Sequence, residues 1–442
     1  MAGERKARVL KGFRDYLPRQ MILRGKIIAI FRDVFERHGF EPLDTPTLEY
    51  LEVLTGKAGE NEKLMYRFED HGGREVGLRY DLTVPLARVV AMHQNDLVLP
   101  FKRYHIAPVW RADNPQRGRF REFWQCDADI AGSASMLADA EVVSIMAEAL
   151  AAVGLPNFVI RISHRRLLES LGLAAGVAPE QATTLYRAID KLDKIGPDAV
   201  AAELVESGIS PASAARVLDL ATMTGTPAYL LDQLDAALAG IDLAAAALAD
   251  LRELFSYLPA FGVPEDRYML DLSLARGLDY YTGPVYEATV TEPKVGSVAG
   301  AGRYDELVGH FLGRPVPATG ISLGLERIIE VVQEYDLLPV PQTVAQVTVA
   351  LFPGTIAEGT RIASDLRRAG LKVDLSLQPN KGVGDQLKLA GRKGIPLAVI
   401  AGEAELAAGA ANLKDLHTGE QETLPLAALP AAIARRLDLT LP

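Results

Sequence analysis

The stretch KRYHIAPVWRADNPQRGRFREFWQCDADIAG (102–132) holds the residues best suited to chemistry. It reads as two strands, Arg103 to Trp110 and Phe120 to Ile130, joined by a Pro/Gly/Asn-containing turn over Asp113 to Gly118. Side chains alternate faces along a strand, so residues of one parity share a face. Arg111, Asp113, Arg119, Arg121, Phe123, Gln125, Asp127 and Asp129 are all odd, and a paired hairpin can aim them together. Arginine forks fit phosphate oxygens, a carboxylate accepts from an exocyclic amino group, and an aromatic ring stacks on a base. Those are the parts of a nucleotide site. There is no GxxxxGKS/T loop and no convincing GxGxxG turn, so side-chain arginines must hold any phosphates. No Cys or His cluster has zinc-ligand spacing, and no nucleophile–His–acid constellation is present.

The elements that must position these residues read as follows. Met21 to His38 is an amphipathic helix with Leu23, Ile27, Ile30, Phe31 and Val34 on one stripe, ended by Gly39. Phe40 to Leu43 and Gly77 to Tyr80 have strand character, and Ala138 to Val153 is a helix. From 171 to 258 the chain turns Ala- and Leu-rich with helix caps and almost no strand signal, which predicts a helical insertion. Strands return near Tyr268 to Leu272 and Val285 to Thr291, and a helix follows over Leu323 to Glu334. Pro339 and Pro341 mark a linker. Beyond it, strands at Val347 to Phe352, Lys372 to Leu375 and Leu397 to Ile400 alternate with helices, which predicts a small α/β domain. The expected division is 1–170 and 259–336 for a split first domain, 171–258 for the insertion, and 343–442 for the last domain.

The net charge of −10 excludes a wholly basic nucleic-acid binder but not local patches. Lys102 to Glu122 carries +4 and Arg361 to Gly394 carries +5. One cysteine, Cys126, excludes an intramolecular disulfide and suits a reducing compartment. No apolar run approaches the roughly 20 residues that span a bilayer, and the basic N-terminus lacks the apolar segment of a signal peptide. The cytoplasm is the expected location.

Residues 102–132 resemble motif 2 of the class II aminoacyl-tRNA synthetases: an arginine, an acid, a variable loop, then RxxxF. LARGLDYYTGPVYEATV (274–290) and SVAGAGRYDELVGHF (297–311) resemble the two histidine-specific motifs of the histidyl-tRNA synthetases. The second carries Ala301 where the family usually has glycine. ATGISLGLERII (318–329) is similar to motif 3, and KGFRDYLP (11–18) with the following helix and strand resembles the N-terminal signature and motif 1. LRRAGLKVDL (366–375), QLKLAGRKGIP (386–396) and KDLHTGEQ (414–421) resemble the family's anticodon-binding domain.

The resemblance implies an α+β fold: a class II antiparallel sheet flanked by helices, a helical insertion, and a C-terminal α/β anticodon-binding domain. It implies ATP-dependent ligation of L-histidine to tRNA(His) through histidyl-adenylate, by a homodimer. ATP would come with Mg2+, and no zinc or organic cofactor is implied. Arg111 and Arg327 would hold the phosphates with Arg119 beside them, Asp113 would meet the adenine amino group, and Phe123 would stack on the ring. Arg276 would be the catalytic arginine at the α-phosphate, aided by Arg111, and also part of the histidine site. Asp81 and Thr83 would bind the α-amino group, Gln125 would lie near the carboxylate, and Asp129, Tyr280 and Tyr281 would line the imidazole pocket. Lys381, Lys388, Arg392 and Lys393 are candidate tRNA phosphate contacts. The alternative is a synthetase-like, histidine-binding regulatory subunit of an ATP phosphoribosyltransferase. Such paralogues typically lack the C-terminal domain and degrade the RGLDYY motif, and both are intact here.

Overall fold

The computed structural model describes residues 6–55, 59–275, 280–293 and 295–441. They fall into two compact units, Met1–Asp15 with Lys26–Leu338, and Tyr16–Gly25 with Pro339–Pro442.

The first unit carries β1 (Glu41–Pro42), β2 (Leu48–Tyr50), β3 (Arg67–Glu69), β4 (Glu75–Leu78), β5 (Phe101–Trp110), β6 (Glu122–Ala131), β7 (Phe158–His164), β8 (Tyr268–Leu270), β9 (Pro284–Val290), β10 (Ser297–Arg303) and β11 (Ala318–Gly324). Eight of them form one sheet in the order β1-β5-β6-β11-β10-β9-β7-β8. Its inner pairs are antiparallel, and only the edge pairs β1–β5 and β7–β8 are parallel. β2, β4 and β3 make a separate small sheet. Helices Met136–Ala152 and Leu325–Glu334 bury Val142, Ile145, Met146, Ile328 and Val332. Ser135 starts the first of them by accepting from the Leu137 amide.

The central strands β10 and β11 are absent from the sequence expectation, which places only a helix from Leu323 in that stretch. Gly300, Gly302, Gly320 and Gly324 depress strand propensity there. The helix begins at Leu325, after β11 has ended. Ala301 pairs in ordinary extended register with Ile321 and Tyr286, so its backbone makes no demand for glycine.

Between β7 and β8 the chain is helical, from Arg165–Ala174 to Asp242–Tyr257. Ser210 and Thr226 cap two of these helices, each with proline in the first turn. Leu185, Leu204, Val217, Leu234 and Leu251 are among their buried side chains.

A buried ion pair fastens a helix to the sheet. Asp139, on Met136–Ala152, accepts from Arg303 Nε at 3.0 Å, the Tyr286 hydroxyl at 2.8 Å and Thr319 Oγ1 at 2.9 Å. It thereby ties together β9, β10 and β11. Burial raises the Asp139 pKa, opposed by Arg303. Asp139→Ala takes from the buried Arg303 guanidinium its buried carboxylate partner and leaves it only Asp305 at 3.1 Å, so the expected loss of stability is roughly 3 kcal/mol, the low end for breaking a buried pair. Denaturant unfolding checks this, and a loss below about 1 kcal/mol would remove the pair from the framework.

The second unit holds β12 (Val347–Ala350), β13 (Val373–Leu375), β14 (Leu397–Ile400), β15 (Ala410–Asp415) and β16 (Gln421–Pro425), ordered β13-β12-β14-β15-β16. The first three are parallel, and β15 and β16 add an antiparallel hairpin. Val347, Val349, Leu397, Val399, Leu413, Ile362 and Ile433 form part of its core. Helices Ile356–Arg368 and Val383–Arg392 carry most of the basic residues of the 361–394 stretch.

Candidate active site

β5 and β6 pair along their whole length, from Phe101 opposite Ala131 to Trp110 opposite Glu122. Their odd residues therefore share a face. At the loop end of this hairpin lies a cavity of about 370 Å³, and Arg111, Asp113, Arg119, Phe123, Gln125 and Arg327 line it. Arg111 follows β5, donates Nε to the Tyr80 carbonyl at 2.8 Å, and sets its guanidinium 5.2 Å from the centre of the Phe123 ring. Arg119 grips Asp113 with two hydrogen bonds of 3.1 and 2.9 Å. Arg327, in the first turn of Leu325–Glu334, donates Nη1 to the Ser297 carbonyl at 2.5 Å.

Arg121 departs from the parity expectation. It donates to the carbonyls of Asp113 at 3.0 Å and Lys11 at 3.3 Å. The reason is that β5 stops at Trp110 and β6 starts at Glu122, so alternation does not carry through the turn. Arg121 instead anchors the N-terminal segment. Gly12 has φ +88°, and a Cβ there would lie 2.7 Å from the Arg121 stem.

A smaller cavity continues from the first. Asp81, Thr83, Gln125, Asp129, Tyr280 and Tyr281 line it, and Gln125, Tyr281, Gly300 and Ser322 belong to both. Asp81 precedes helix Thr83–Met92 and accepts from the Val84 amide at 3.1 Å. Burial raises its pKa to about 6, opposed by that hydrogen bond and by Arg111. The Tyr280 hydroxyl stands 3.5 Å from Asp81 Oδ2. Asp129 meets Arg103 Nη2 at 2.8 Å and accepts a hydrogen bond from the Tyr304 hydroxyl. Burial raises the Asp129 pKa against the pull of Arg103. Two glycines permit this packing: a Cβ on Gly302 would sit 2.7 Å from the Tyr281 ring, and one on Gly320 would sit 2.0 Å from Asp129 Oδ1.

The hairpin, the Asp81–Thr83 turn, the Tyr280–Tyr281 pair and Arg327 are thus brought to one place. Arg276 lies outside the described residues. The sequence reading missed Arg103, Tyr304 and Ser322. Arg103 has the right parity on β5, opposite Asp129. Tyr304 follows Arg303 in the GRYD segment, and Ser322 lies on the unrecognised strand β11. Among the described residues no group of three His, Cys, Asp or Glu could hold a metal ion. No helix among them is long and apolar enough to cross a membrane.

Comparison with known proteins follows the same division of the chain. Residues 12–328 match the family model described as histidyl-tRNA synthetase, and residues 346–436 match that of an anticodon binding domain. A histidine–tRNA ligase of Rhodopirellula baltica is 46% identical, covering 94% of each chain. One of Aeropyrum pernix is 44% identical, covering 99% of this chain and all of its own. The crystal structure of a histidyl-tRNA synthetase from Nostoc sp. PCC 7120 superposes with a TM-score of 0.87 at 35% identity, covering 98% of this chain and 100% of that one.

Proposed function

The chain belongs to the histidyl-tRNA synthetases, a family of class II aminoacyl-tRNA synthetases, and from that premise we propose how its two joined cavities act. The larger takes ATP and the smaller takes L-histidine. The histidine carboxylate attacks the α-phosphorus, the bond to pyrophosphate breaks, and histidyl-adenylate forms. The histidyl group then passes to tRNA(His), and AMP leaves. The attacking carboxylate of the first step is already ionised, so that step needs no general base. What two approaching anions require is cations and fixed geometry.

The observation that carries this reading is the sharing of Gln125 between an arginine-lined and a carboxylate-lined cavity. Arg111 and Arg327 hold phosphates, with Arg119 beside them. Asp113, oriented by Arg119, meets the adenine amino group, and Phe123 stacks on the base. Arg276 acts at the α-phosphate. Asp81 and Thr83 take the α-ammonium. Gln125 donates its amide nitrogen to Ser322 at 2.6 Å, and its Oε1 has no partner. That free acceptor suits the ammonium better than the carboxylate. Asp129, Tyr280 and Tyr281 meet the imidazole, which offers one donor and one acceptor when neutral. Mg2+ arriving with the triphosphate would neutralise phosphate charge, and Glu287 and Glu326 are the carboxylates on the cavity wall that would hold it.

The second unit is assigned to the tRNA, with the cytoplasm as the place of work. A homodimer is supported by the small sheet, which leaves Leu48, Tyr50 and Phe68 exposed for a second copy to cover. Pyrophosphate exchange with each amino acid in turn tests the activity. Histidine alone should drive exchange. Equal exchange with another amino acid overturns the specificity, and no exchange favours a regulatory, histidine-binding subunit. For the tRNA surface, Lys388 and Arg392 are exposed on Val383–Arg392. Replacing both with Glu should raise the KM for tRNA, flatten its salt dependence by a slope of about 1–2, and leave exchange unchanged. An unchanged tRNA KM would remove this helix from the interface.

A further inference from the structure

Asp127 lies between Gln125 and Asp129 on the same face of β6, yet it is in neither cavity wall. It is 1% exposed, and neither carboxyl oxygen has a hydrogen-bond partner of ordinary geometry. An unpaired buried carboxyl is costly to keep, so a use for it is expected. Its cross-strand partner on β11 is Ser322. The Ser322 hydroxyl oxygen is already the acceptor for Gln125 Nε2 at 2.6 Å, so its own proton must point elsewhere. The acceptor directly across the ladder is Asp127.

We propose that Asp127 is a positioning residue for the amino-acid substrate, acting through Ser322 to fix the amide of Gln125. The Ser322 proton turns toward Asp127, which leaves the serine lone pairs to receive Gln125 Nε2. That fixes which end of the amide is left unpaired: the nitrogen is engaged and Oε1 has no partner. An amide free to rotate would offer its NH2 to the substrate ammonium half the time, a repulsive pairing in a buried site. Burial raises the Asp127 pKa to about 8, with Asp129 adding to the rise and Arg103 and Ser322 opposing it. The neutral carboxyl still accepts a hydrogen bond, so this role needs no negative charge.

The inference rests on the assignment of histidine to the smaller cavity. Histidine-dependent exchange by the unaltered enzyme tests that assignment, and only the variants test Asp127. Asp127→Ala and Ser322→Ala should each raise the KM for histidine about tenfold, and Asp127→Ala, at a position in neither cavity wall, should leave kcat and the KM for ATP near their starting values. The double variant should be no worse than either single one, because both act through one chain of hydrogen bonds. Asp127→Asn keeps an acceptor oxygen of the same shape and should restore the histidine KM. Additive losses in the double variant overturn the relay. So does an Asp127→Asn enzyme as impaired as Asp127→Ala, which would make the charge, balancing Arg103, the purpose of the residue. An unchanged histidine KM in Asp127→Ala also overturns it. If Asp127→Ala fails to fold, Ser322→Ala and Asp127→Asn still decide the question.

Discussion

Arg111→Ala should slow histidyl-adenylate formation by roughly a hundred- to a thousandfold, about 3–4 kcal/mol in barrier. Charge builds on the α-phosphate oxygens as the carboxylate attacks, and a cation fixed beforehand stabilises that charge without reorganising. Arg111 is fixed on two sides. Its Nε is spent on the Tyr80 carbonyl, and its flat guanidinium faces the Phe123 ring. The remaining nitrogens are left for the nucleotide. Arg111→Lys keeps the charge but loses the fork and the anchor, so it should recover only part of the rate. Single-turnover adenylate formation separates rate from affinity. A variant with a normal rate and only a weaker ATP KM would make Arg111 a ground-state contact. Arg276→Ala is expected to fail at the same step. That expectation comes from the RGLDYY motif alone, since the position lies outside the described residues.

How much of this was legible in the sequence depended on whether a residue's role was local. The hairpin of 102–132 was readable because β5 and β6 are neighbours in the chain and alternation survives in both. Parity brought Phe123, Gln125 and Asp129 to the correct face and suggested Arg111 and Arg119. It failed at Arg121, where the chain is turning. Strand β11 could not be read, because its glycines look like breakers, although one of them, Gly320, serves close packing against Asp129. With β11 went Ser322, and with it the reason for the orientation of Gln125. Arg103 was visible as a charge in a basic stretch, but its burial against Asp129 is a property of the assembled sheet. Hairpin β15–β16 was likewise hidden, since AANLKD has little β-branched character and is held by pairing with β14.

Gly320→Ala should lower histidine affinity about a hundredfold or more, about 2.7 kcal/mol, while ATP affinity stays near its starting value. Gly320 pairs with Asp129 across β6 and β11. A methyl group there would stand 2.0 Å from Asp129 Oδ1 and 2.4 Å from its Cγ, with the Ala128 carbonyl 3.0 Å away. Backbone cannot yield cheaply inside a sheet, so the carboxyl must move. Its own partners oppose that: Arg103 is fully buried at 2.8 Å, and the Tyr304 hydroxyl donates to the same oxygen that the methyl would strike. On the proposed assignment of Asp129 to the imidazole N–H, the displaced carboxyl then loses its geometry, and a site built for that hydrogen bond discriminates strongly against losing it. The larger cavity is not lined by Gly320, which is why the nucleotide should be spared. Asp129→Ala is a poorer test of the same pocket, because it strands the Arg103 guanidinium and unsettles the fold as well. Overpacking at Gly320 itself costs about 1–3 kcal/mol of stability, so the thermal midpoint must be followed beside the titrations. Calorimetric titration with histidine and with ATP decides the matter. Histidine affinity within about threefold of the starting enzyme would show that Asp129 can shift without consequence, and that recognition of the imidazole lies with Tyr280 and Tyr281 instead.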